Sequence, residues 1–544
     1  MLSFSNFGEA AILLYSELFS EVTGVAHAVY ELDDASILDV CATEHFVAVS
    51  FDPSLTCRND IELLIRNLAK EQKSSKRPPA EIVIPMIPDG QDLLEVCAVL
   101  NVTESELLVK LTEHRFEVAH LGFAPGFIYL NGLEERFQLP RLKEPRASVP
   151  AGSIALGGKY LGIYGASTPG GWNLLGRTPA KLFDPNRDPP IELVPGDLVQ
   201  FEIADSNFDA QHDLVEVPTK AGFNGVPYPV LRVETITGMA TFQDLGRSKS
   251  GFWAVPRAGA ADPWSHRRAN LLAGNDSNST CLEIMTGELS LTALANCYLA
   301  ATGAPLNIYL DGNPVSCGHC LPIIRGTAIT IRRDPSMMYS YLAIAGGFMT
   351  SRAFSSQSHD TLAGFGPSPL SVGEHLLANA AHGKPRDHIL DLIPGIQSRV
   401  RVIVGPHFNL FSDNEIDKFF ASEFVISPIS SRVGIRLTNS RLGAQSVYEL
   451  DESQPLVLGA IQVTPSGDPI VMLADHPATG GYRVIAVTAQ CDIDRVAQLR
   501  PGEKLSFELI SEEEALTAYS QRLALEATLA VGYRPYDELR LFGF

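Results

Sequence analysis

The sequence lacks the charge and the apolar runs of several large protein classes. It carries 42 Lys and Arg against 63 Asp and Glu, a formal net charge of −21. Nucleic acid and anionic membranes are bound by surfaces with an excess of basic groups, so the composition excludes both partners. No apolar run reaches the roughly 18 residues of a membrane span, and the N-terminal segment lacks the basic start of a signal peptide. We expect a cytoplasmic protein.

Cysteine is scarce as well, with 8 in 544 residues. Only Cys317 and Cys320 lie close together, in the sequence CGHC. Strand-like runs flank this pair, which predicts a hairpin turn and not the helix N-terminus that activates a redox thiol. A zinc ribbon would need a second pair of cysteines, and the sequence has none.

The commonest catalytic motifs are missing too. The chain has no GxxxxGK[ST] loop, no GxGxxG before a helix, no GxSxG and no HExxH. These absences leave the usual nucleotide, serine-hydrolase and zinc-protease chemistries without support. Any ATP site must be of another kind.

The features that are present indicate several β-rich domains. Hydrophobic residues make up 45% of the chain, and 44 Gly and 36 Pro interrupt short apolar runs. Residues 1–80 are predicted to form a small α+β domain, 81–205 a β-barrel, 206–229 a linker and 230–544 a second β-rich module. A capping box at Thr103 and Glu106 predicts a helix start, and Ser511 with Glu514 predicts a C-terminal helix.

An internal repeat connects the two halves. LVPGDLVQFEI, from Leu193, matches LRPGEKLSFELI, from Leu499. Upstream of these segments, Gly170-Gly171-Trp172 corresponds to Gly480-Gly481-Tyr482. Further upstream, AGSIAL corresponds to LGAIQV. Three ordered matches predict that both halves contain the same barrel fold.

Three polar clusters are candidate sites. The first runs from His120 to Arg177, where aromatic residues, including Tyr129, could wall a pocket and arginines could bind an anion. The second surrounds Gln243 and includes Asp262, which is also a candidate helix cap before Pro263. The third includes the adjacent Asp475 and His476. Barrel corners, core aromatics and a solvated basic face are the structural alternative.

The predicted catalytic residues are Asp244, Glu283, Asp475 and His476. The predicted substrate-binding residues are Phe123, Phe127, Arg141, Arg146, Gly152, Trp172, Arg177, Gln243, Arg247, Asn275, Gln462 and Tyr482. No resident metal ligand is assigned. Because the basic groups fall in the first half and most of the carboxylates in the second, we expect a site where the halves meet.

These motifs resemble a known family. LGFAPGFIYL, PRASVPAGS and PGGWNLLGRTP resemble the KipI-type protein, which is the B component of 5-oxoprolinase or allophanate hydrolase subunit 1. TFQDLGR, AGAADPWSHRRANLLAGN and GAIQVTPSGDPIVMLADHPATGGY resemble KipA, which is the C component or allophanate hydrolase subunit 2. The resemblance implies cyclophilin-like β-barrels in tandem. One loop departs from the family, because Gln357 and His359 stand where Arg and Thr are common.

The resemblance also implies an activity. It is the ATP-dependent opening of the lactam 5-oxoproline to glutamate, together with a separate A component of the LamB/YcsF type. ATP and Mg²⁺ are the implied cofactors, with Arg141 or Arg146 serving the anion, Asp244 or Glu283 the metal, and Asp475 with His476 the proton.

Two other functions stay open. One is the carboxyltransferase of a urea or amide carboxylase or allophanate hydrolase system, which would need biotin carried by another protein. The other is a regulatory inhibitor of a histidine kinase. The sequence also leaves open whether chains form a homo-oligomer.

Overall fold

The computed structural model describes residues 2–71, 79–142, 144, 146–185, 187, 189–205, 227–316, 318–381, 386–387, 399–443, 448–532 and 534–535. Strands dominate, and an α+β unit comes first, which confirms the predicted fold class. Most of the predicted linker, 206–226, lies outside the described residues, and the predicted domain boundaries stay a prediction. Within the described part, no helix is both long and apolar enough to cross a membrane.

The N-terminal unit packs two helices on one four-stranded sheet of order β1-β2-β4-β3. The apolar residues of helix α1 recur at Val22, Val25, Ala26 and Val29, which places them on one buried face. The elements are β1 (Ser3–Asn6), β2 (Ala11–Tyr15), α1 (Phe19–Glu31), β3 (Ile37–Ala42), β4 (Phe46–Phe51) and α2 (Arg58–Glu71).

The first barrel follows. Its seven strands have the order β12-β9-β10-β7-β6-β13-β5, and a bridge between Ile87 and Arg177 connects the two ends. Strands β8 and β11 form a separate pair. The elements are β5 (Glu81–Met86), α3 (Leu93–Leu100), α4 (Glu104–Glu113), β6 (Phe116–Leu121), β7 (Ile128–Asn131), β8 (Arg146–Val149), β9 (Ser153–Gly157), β10 (Tyr160–Ile163), β11 (Thr168–Gly170), β12 (Asn173–Arg177) and β13 (Leu198–Ile203).

A middle unit consists of two sheets that share one apolar core. Their orders are β20-β19-β22-β17-β14-β25-β24 and β15-β16-β23-β18-β21. The elements are β14 (Tyr228–Ile236), β15 (Ala240–Gln243), α5 (Pro263–Ala273), β16 (Cys281–Ile284), β17 (Glu288–Ala293), β18 (Cys297–Gly303), β19 (Leu306–Leu310), β20 (Asn313–Val315), β21 (Leu321–Ile323), β22 (Ala328–Arg333), β23 (Ser340–Ile344), β24 (Phe348–Met349), β25 (His375–Ala378) and β26 (Arg386–Asp387).

Two local predictions meet different outcomes in the middle unit. Asp262 caps helix α5 by accepting from the Ser265 amide, with Pro263 in the first turn, as predicted. The hairpin prediction for the CGHC segment is wrong, because β20 and β21 belong to different sheets and the chain crosses between them. Cys317 lies outside the described residues, and burial raises the pKa of the Cys320 thiol to about 12.

The second barrel is closed, in the order β27-β34-β31-β32-β29-β28-β35, and β30 pairs with β33 beside it. Its helix α8 starts at the predicted Ser511 and Glu514 capping box. The elements are β27 (Arg399–Val404), α6 (Asp413–Ala421), β28 (Phe424–Ile426), β29 (Gly434–Thr438), β30 (Glu449–Pro455), β31 (Ala460–Val463), β32 (Pro469–Met472), β33 (Thr479–Tyr482), β34 (Val484–Thr488), α7 (Ile493–Gln498), β35 (Lys504–Leu509), α8 (Glu512–Gly532) and β36 (Arg534–Pro535).

The two barrels are copies of one topology. Each strand of the first order has its counterpart in the second, and both contain one parallel pair, β5 with β13 and β27 with β35. Helices α4 and α6 each begin with a capping box, at Thr103 and Ser412. The repeat found in the sequence is therefore a repeat of fold.

Candidate functional site

A contact between the two barrels brings together two of the predicted clusters. The loop that joins β6 to β7 carries Phe123, whose amide donates to Thr479 Oγ1 at 2.9 Å. Gly122 permits this approach, because a Cβ atom there would lie 2.7 Å from the same oxygen. We call this region the seam and define it by Gly122, Phe123, Tyr129 and Thr479.

Aromatic side chains form the wall of the seam in the first barrel. The ring of Trp172 lies 5.3 Å from Phe127 and 5.5 Å from Tyr129, and Phe123 lies 5.7 Å from Phe127. Gly157 leaves room for the indole, since a Cβ atom there would lie 2.5 Å from it. The predicted aromatic residues are therefore together. Sequence reasoning missed Tyr160 and Tyr164, which belong to the same cluster.

Two features of the seam are costly for a folded protein. Phe123 has a φ of 64°, a left-handed conformation that a bulky residue rarely adopts. His120 is 1% exposed and stacks on Tyr129 at 4.0 Å, yet neither of its ring nitrogens has a hydrogen-bond partner among the described residues. Such features concentrate at functional sites. Burial lowers the pKa of His120 to about 3, so the imidazole is neutral.

Three units meet beside the seam. Glu44, from the turn between β3 and β4, accepts from Tyr160 Oη at 2.7 Å and from Lys159 Nζ at 3.0 Å. His45 Nδ1 lies 2.7 Å from Glu452 of the second barrel. Glu44, His45 and Glu452 are close enough to hold a cation, but the Lys159 ammonium already contacts both carboxylates. The cluster is an ionic junction between units.

The predicted basic residues differ in what they are free to bind. Arg146 is paired with Asp92 at 2.7 Å, and Arg177 with Asp89 at 2.8 Å. Arg141 lies over the Trp172 ring at 5.4 Å and makes no ion pair with a described residue. Arg141 is therefore the arginine available to an anion at this wall. The predicted Gly152 shapes a turn, with a φ of 79° and its amide donating to Tyr164.

The second cluster holds backbone segments together. Asp244 accepts from the Gly246 and Gln357 amides and from the hydroxyls of Ser356 and Ser358. The side chains of the three predicted substrate-binding residues in this cluster all donate hydrogen bonds to backbone carbonyl oxygens. These contacts are Gln243 to His359, Arg247 to Pro256 and Ser358, and Asn275 to Ile344.

A buried ion network links this cluster to the third one. Arg432, which sequence reasoning missed, lies between Glu283 and Asp475 with its side chain 1% exposed. Although burial raises the pKa of Asp475, the Arg432 guanidinium holds it below its usual range. Glu283 also accepts from the Ala261 amide and the Tyr341 hydroxyl. Arg432 carries no motif signal, because only tertiary packing places it here.

This network and the Asp244 contacts do not fit a magnesium site. Each oxygen of Asp244, Glu283 and Asp475 already accepts a hydrogen bond or an ion pair. Mg²⁺ takes oxygens that are free to coordinate it. We therefore derive no step through a metal at these residues, and their contacts hold the segment 244–262 in place.

The remaining predicted residues are in the second barrel. Gln462 Nε2 donates to the Tyr482 carbonyl at 3.1 Å, behind the TGGY strand that carries Thr479. His476 Nδ1 lies 2.9 Å from the Pro477 carbonyl, whereas the Asp475 carboxylate binds Arg432 and Thr361. Burial lowers the pKa of His476. The adjacent Asp and His thus occupy different surroundings, and a direct role for either in chemistry stays a prediction.

The seam places polar groups next to an aromatic wall. Its hydroxyl groups come from both barrels, since Tyr129 belongs to β7 of the first barrel and Thr479 to β33 of the second. Burial raises the pKa of Tyr129, so this phenol stays protonated and can donate to a carbonyl oxygen. Neutral imidazole, phenol and guanidinium groups suit an amide or a carboxylate ligand.

Comparison with known proteins finds relatives for both halves of the chain. The carboxyltransferase domain, subdomains C and D, matches residues 2–193, and subdomains A and B match residues 253–509. The C component of the 5-oxoprolinase of Escherichia coli is 35% identical over 51% of this chain and 90% of its own length. The B component of the Bacillus subtilis 5-oxoprolinase is 36% identical over 29% of this chain and 66% of its own length.

A solved structure and a larger enzyme extend the comparison. The crystal structure of TTHA0988 superimposes with a TM-score of 0.81 at 29% identity, covering 92% of this chain and 99% of that one. The urea amidolyase of Saccharomyces cerevisiae is 26% identical over 58% of this chain, which is only 19% of that enzyme. The chain belongs to the carboxyltransferase-domain family of the 5-oxoprolinase B and C components, as a KipI–KipA fusion that joins both kinds of component in one polypeptide.

Proposed function

We propose that this chain is the fused B and C component of an ATP-dependent 5-oxoprolinase, which opens 5-oxoproline to glutamate with a LamB/YcsF-type A component. The observation that carries the proposal is the similarity of one chain to two proteins that are both named as subunits of that enzyme. The seam supports it, because the two barrels contact each other there through the Phe123 amide and the Thr479 hydroxyl, as expected of two components that work as a pair.

The chemistry of the seam is suited to a lactam. An amide carbonyl is a weak electrophile, and a donor placed at its oxygen stabilises the charge that develops there on attack. In our proposal the Tyr129 phenol donates to the lactam oxygen and Arg141 binds the carboxylate. The neutral His120 imidazole lies against Tyr129, and one of its ring nitrogens can donate a hydrogen bond while the other accepts one.

ATP and Mg²⁺ enter this proposal through the complex. ATP would activate the lactam by phosphorylation, with Mg²⁺ neutralising phosphate charge. The described carboxylates named for the metal are engaged by protein donors, so we assign them to the scaffold. We propose that the LamB/YcsF-type component supplies the groups that hold the nucleotide.

The test reconstitutes the complex. The purified chain is mixed with a LamB/YcsF-type component, ATP, Mg²⁺ and 5-oxoproline, and glutamate release is measured. Release that requires every one of these is expected. The variant Arg141→Gln should raise the KM for 5-oxoproline by about tenfold, the size of one charge-assisted hydrogen bond, with a smaller effect on kcat. Arg136→Gln is the matched control, because Arg136 is exposed and paired with Glu134.

A second function has its own supporting observation. Both matched domains are described as carboxyltransferase subdomains, and urea amidolyase shares them. In that case the chain would move a carboxyl group between biotin on another protein and urea or another amide. No glutamate release from the reconstituted mixture, together with biotin-dependent carboxylation of urea, would replace the first proposal with this one.

A further inference from the structure

A cavity of about 500 Å³ lies away from the seam, where four parts of the chain meet. Its walls come from the N-terminal unit, the segment 245–260 with helix α5, the second barrel and helix α8. None of the residues that define the seam lines it. Small-molecule sites are typically concave spaces of roughly 300–1,000 Å³ that combine apolar walls with a few placed polar groups.

One arginine in the wall is not satisfied by the described part of the protein. Arg257 Nη2 donates to the Leu245 carbonyl at 3.2 Å, while its buried Nε has no hydrogen-bond partner among the residues that the structure describes. The backbone around it is left-handed at Ala258, with a φ of 53° that is strained for a residue with a Cβ atom, and at Gly246, with a φ of 93° that glycine adopts freely. At Gly246 a Cβ atom would lie 3.1 Å from the Arg257 side chain. The strained backbone thus fixes a guanidinium that has a free donor.

A second donor in the same wall is also unpaired. Trp264 lines the cavity, and its indole Nε1 is buried without a hydrogen-bond partner in the described ranges. An indole N–H and a guanidinium can each donate a hydrogen bond, and neither can accept one. A buried donor without a partner destabilises the folded protein, so a ligand that offers acceptor oxygens would stabilise both groups.

The other charges limit the charge of that ligand. Arg522 is paired with Asp494 at 2.7 Å and lies over the Trp264 ring. Three arginines and three aspartates line the cavity, so their formal charges cancel. His476 also lines the cavity, and burial lowers its pKa. The cavity lining is therefore neutral before a ligand binds, so a monoanion would add a single charge beside Arg257, whereas a polyanion such as ATP would add several charges to a confined space.

We propose that this cavity is a second binding site, for a small molecule with one carboxylate, which Arg257 and Trp264 bind through its oxygens. If the proposed function holds, 5-oxoproline is such a molecule, and that identification rests on it. Benzoate is a probe that does not depend on the proposed function, because it offers one carboxylate on a planar apolar body.

The test is calorimetric titration of the full chain with benzoate and, separately, with 5-oxoproline. At least one probe should bind the wild-type chain, and Arg257→Gln should weaken its binding by about tenfold or more, the effect of one charge-assisted hydrogen bond. Arg325→Gln is the matched control, since Arg325 is exposed and does not line the cavity. Failure of both probes, equal affinity in Arg257→Gln, or competition by ATP would overturn the proposal.

Trp264→Phe keeps an aromatic ring and removes the indole N–H. It should weaken probe binding by a few-fold, and an unchanged circular dichroism spectrum shows that it folds. The two proposals fail separately in these experiments. In the Arg141→Gln background, equal 5-oxoproline affinity with and without Arg257→Gln would end the assignment of 5-oxoproline to the cavity, whereas Arg257-dependent benzoate binding without any glutamate release would end only the proposed function.

Discussion

The two barrels have one topology but use the same loop in opposite ways. In the first barrel the loop between β6 and β7 carries Phe123, and its amide contacts the second barrel at Thr479. In the second barrel the equivalent loop, between β28 and β29, carries Arg432, which reaches back to Glu283 of the middle unit. One loop makes a neutral hydrogen bond through its backbone, and the other makes an ion pair through a side chain.

The difference extends to the matching motifs GGW and GGY. Trp172 is buried within the aromatic cluster of its own barrel, whereas Tyr482 is only partly buried. The first copy supplies large side chains, and the second supplies an edge strand with the Thr479 hydroxyl. A repeated fold thus allows two copies to specialise, because strand pairing does not depend on which side chains project from the loops.

The largest expected effect comes from replacing Arg432, which removes the ion pairs made by the loop between β28 and β29. Arg432→Met leaves Glu283 and Asp475 as buried carboxylates without a cation, which should lower the free energy of unfolding by about 3–5 kcal/mol. Urea denaturation followed by circular dichroism measures the loss. Arg436→Met, on the neighbouring strand at an exposed position, is the control and should change little. Equal midpoints for the two variants would show that the network does not stabilise the fold.

The next prediction concerns the first barrel and the pH dependence of stability that its buried His120 causes. His120 has a pKa of about 3 in the folded chain, against a usual value of 6.5, because burial outweighs the attraction of Glu44. Below pH 6.5 the unfolded chain therefore binds a proton that the folded chain does not. The stability contribution of neutral His120 is complete above pH 6.5 and falls as the pH drops from there toward 3, by about 1.4 kcal/mol per pH unit.

The comparison of His120→Phe with the wild type isolates the pH-dependent contribution of His120 to the free energy of unfolding. Between about pH 6.5 and 5 the wild type should lose about 2 kcal/mol more than the variant, which has no titrating group at this position. Urea midpoints at several pH values give the difference. Parallel pH profiles would mean that His120 is hydrated or hydrogen-bonded, and its buried position against Tyr129 would need revision.

The smallest effect concerns the contact between the barrels. Gly122→Ala would place a Cβ atom 2.7 Å from Thr479 Oγ1, but the threonine side chain can turn away. We expect a loss of about 1 kcal/mol, at the low end of overpacking costs. The double variant with Thr479→Ala should recover most of it, which a double-mutant cycle of urea midpoints measures. Additive losses would show that the two residues do not meet.

The sequence determined the local and repeated features of this protein. The capping boxes at Thr103 and Ser511, the cap at Asp262 and the repeat that contains GGW and GGY were all readable, since each depends on residues close along the chain. The paired fold followed from the repeat. The prediction for the CGHC segment failed because adjacent strands in sequence went to different sheets.

Only the tertiary structure decided which groups meet. Arg432 lies 149 residues from Glu283 along the chain, and Thr479 lies 356 from Phe123. Arg257 and Trp264 became unpaired donors in one cavity, among the residues that the structure describes, through strained backbone and the packing of four chain segments. Residue type and spacing report hydrogen-bonding capacity and local conformation, whereas satisfaction of a buried group depends on distant segments that packing brings to it.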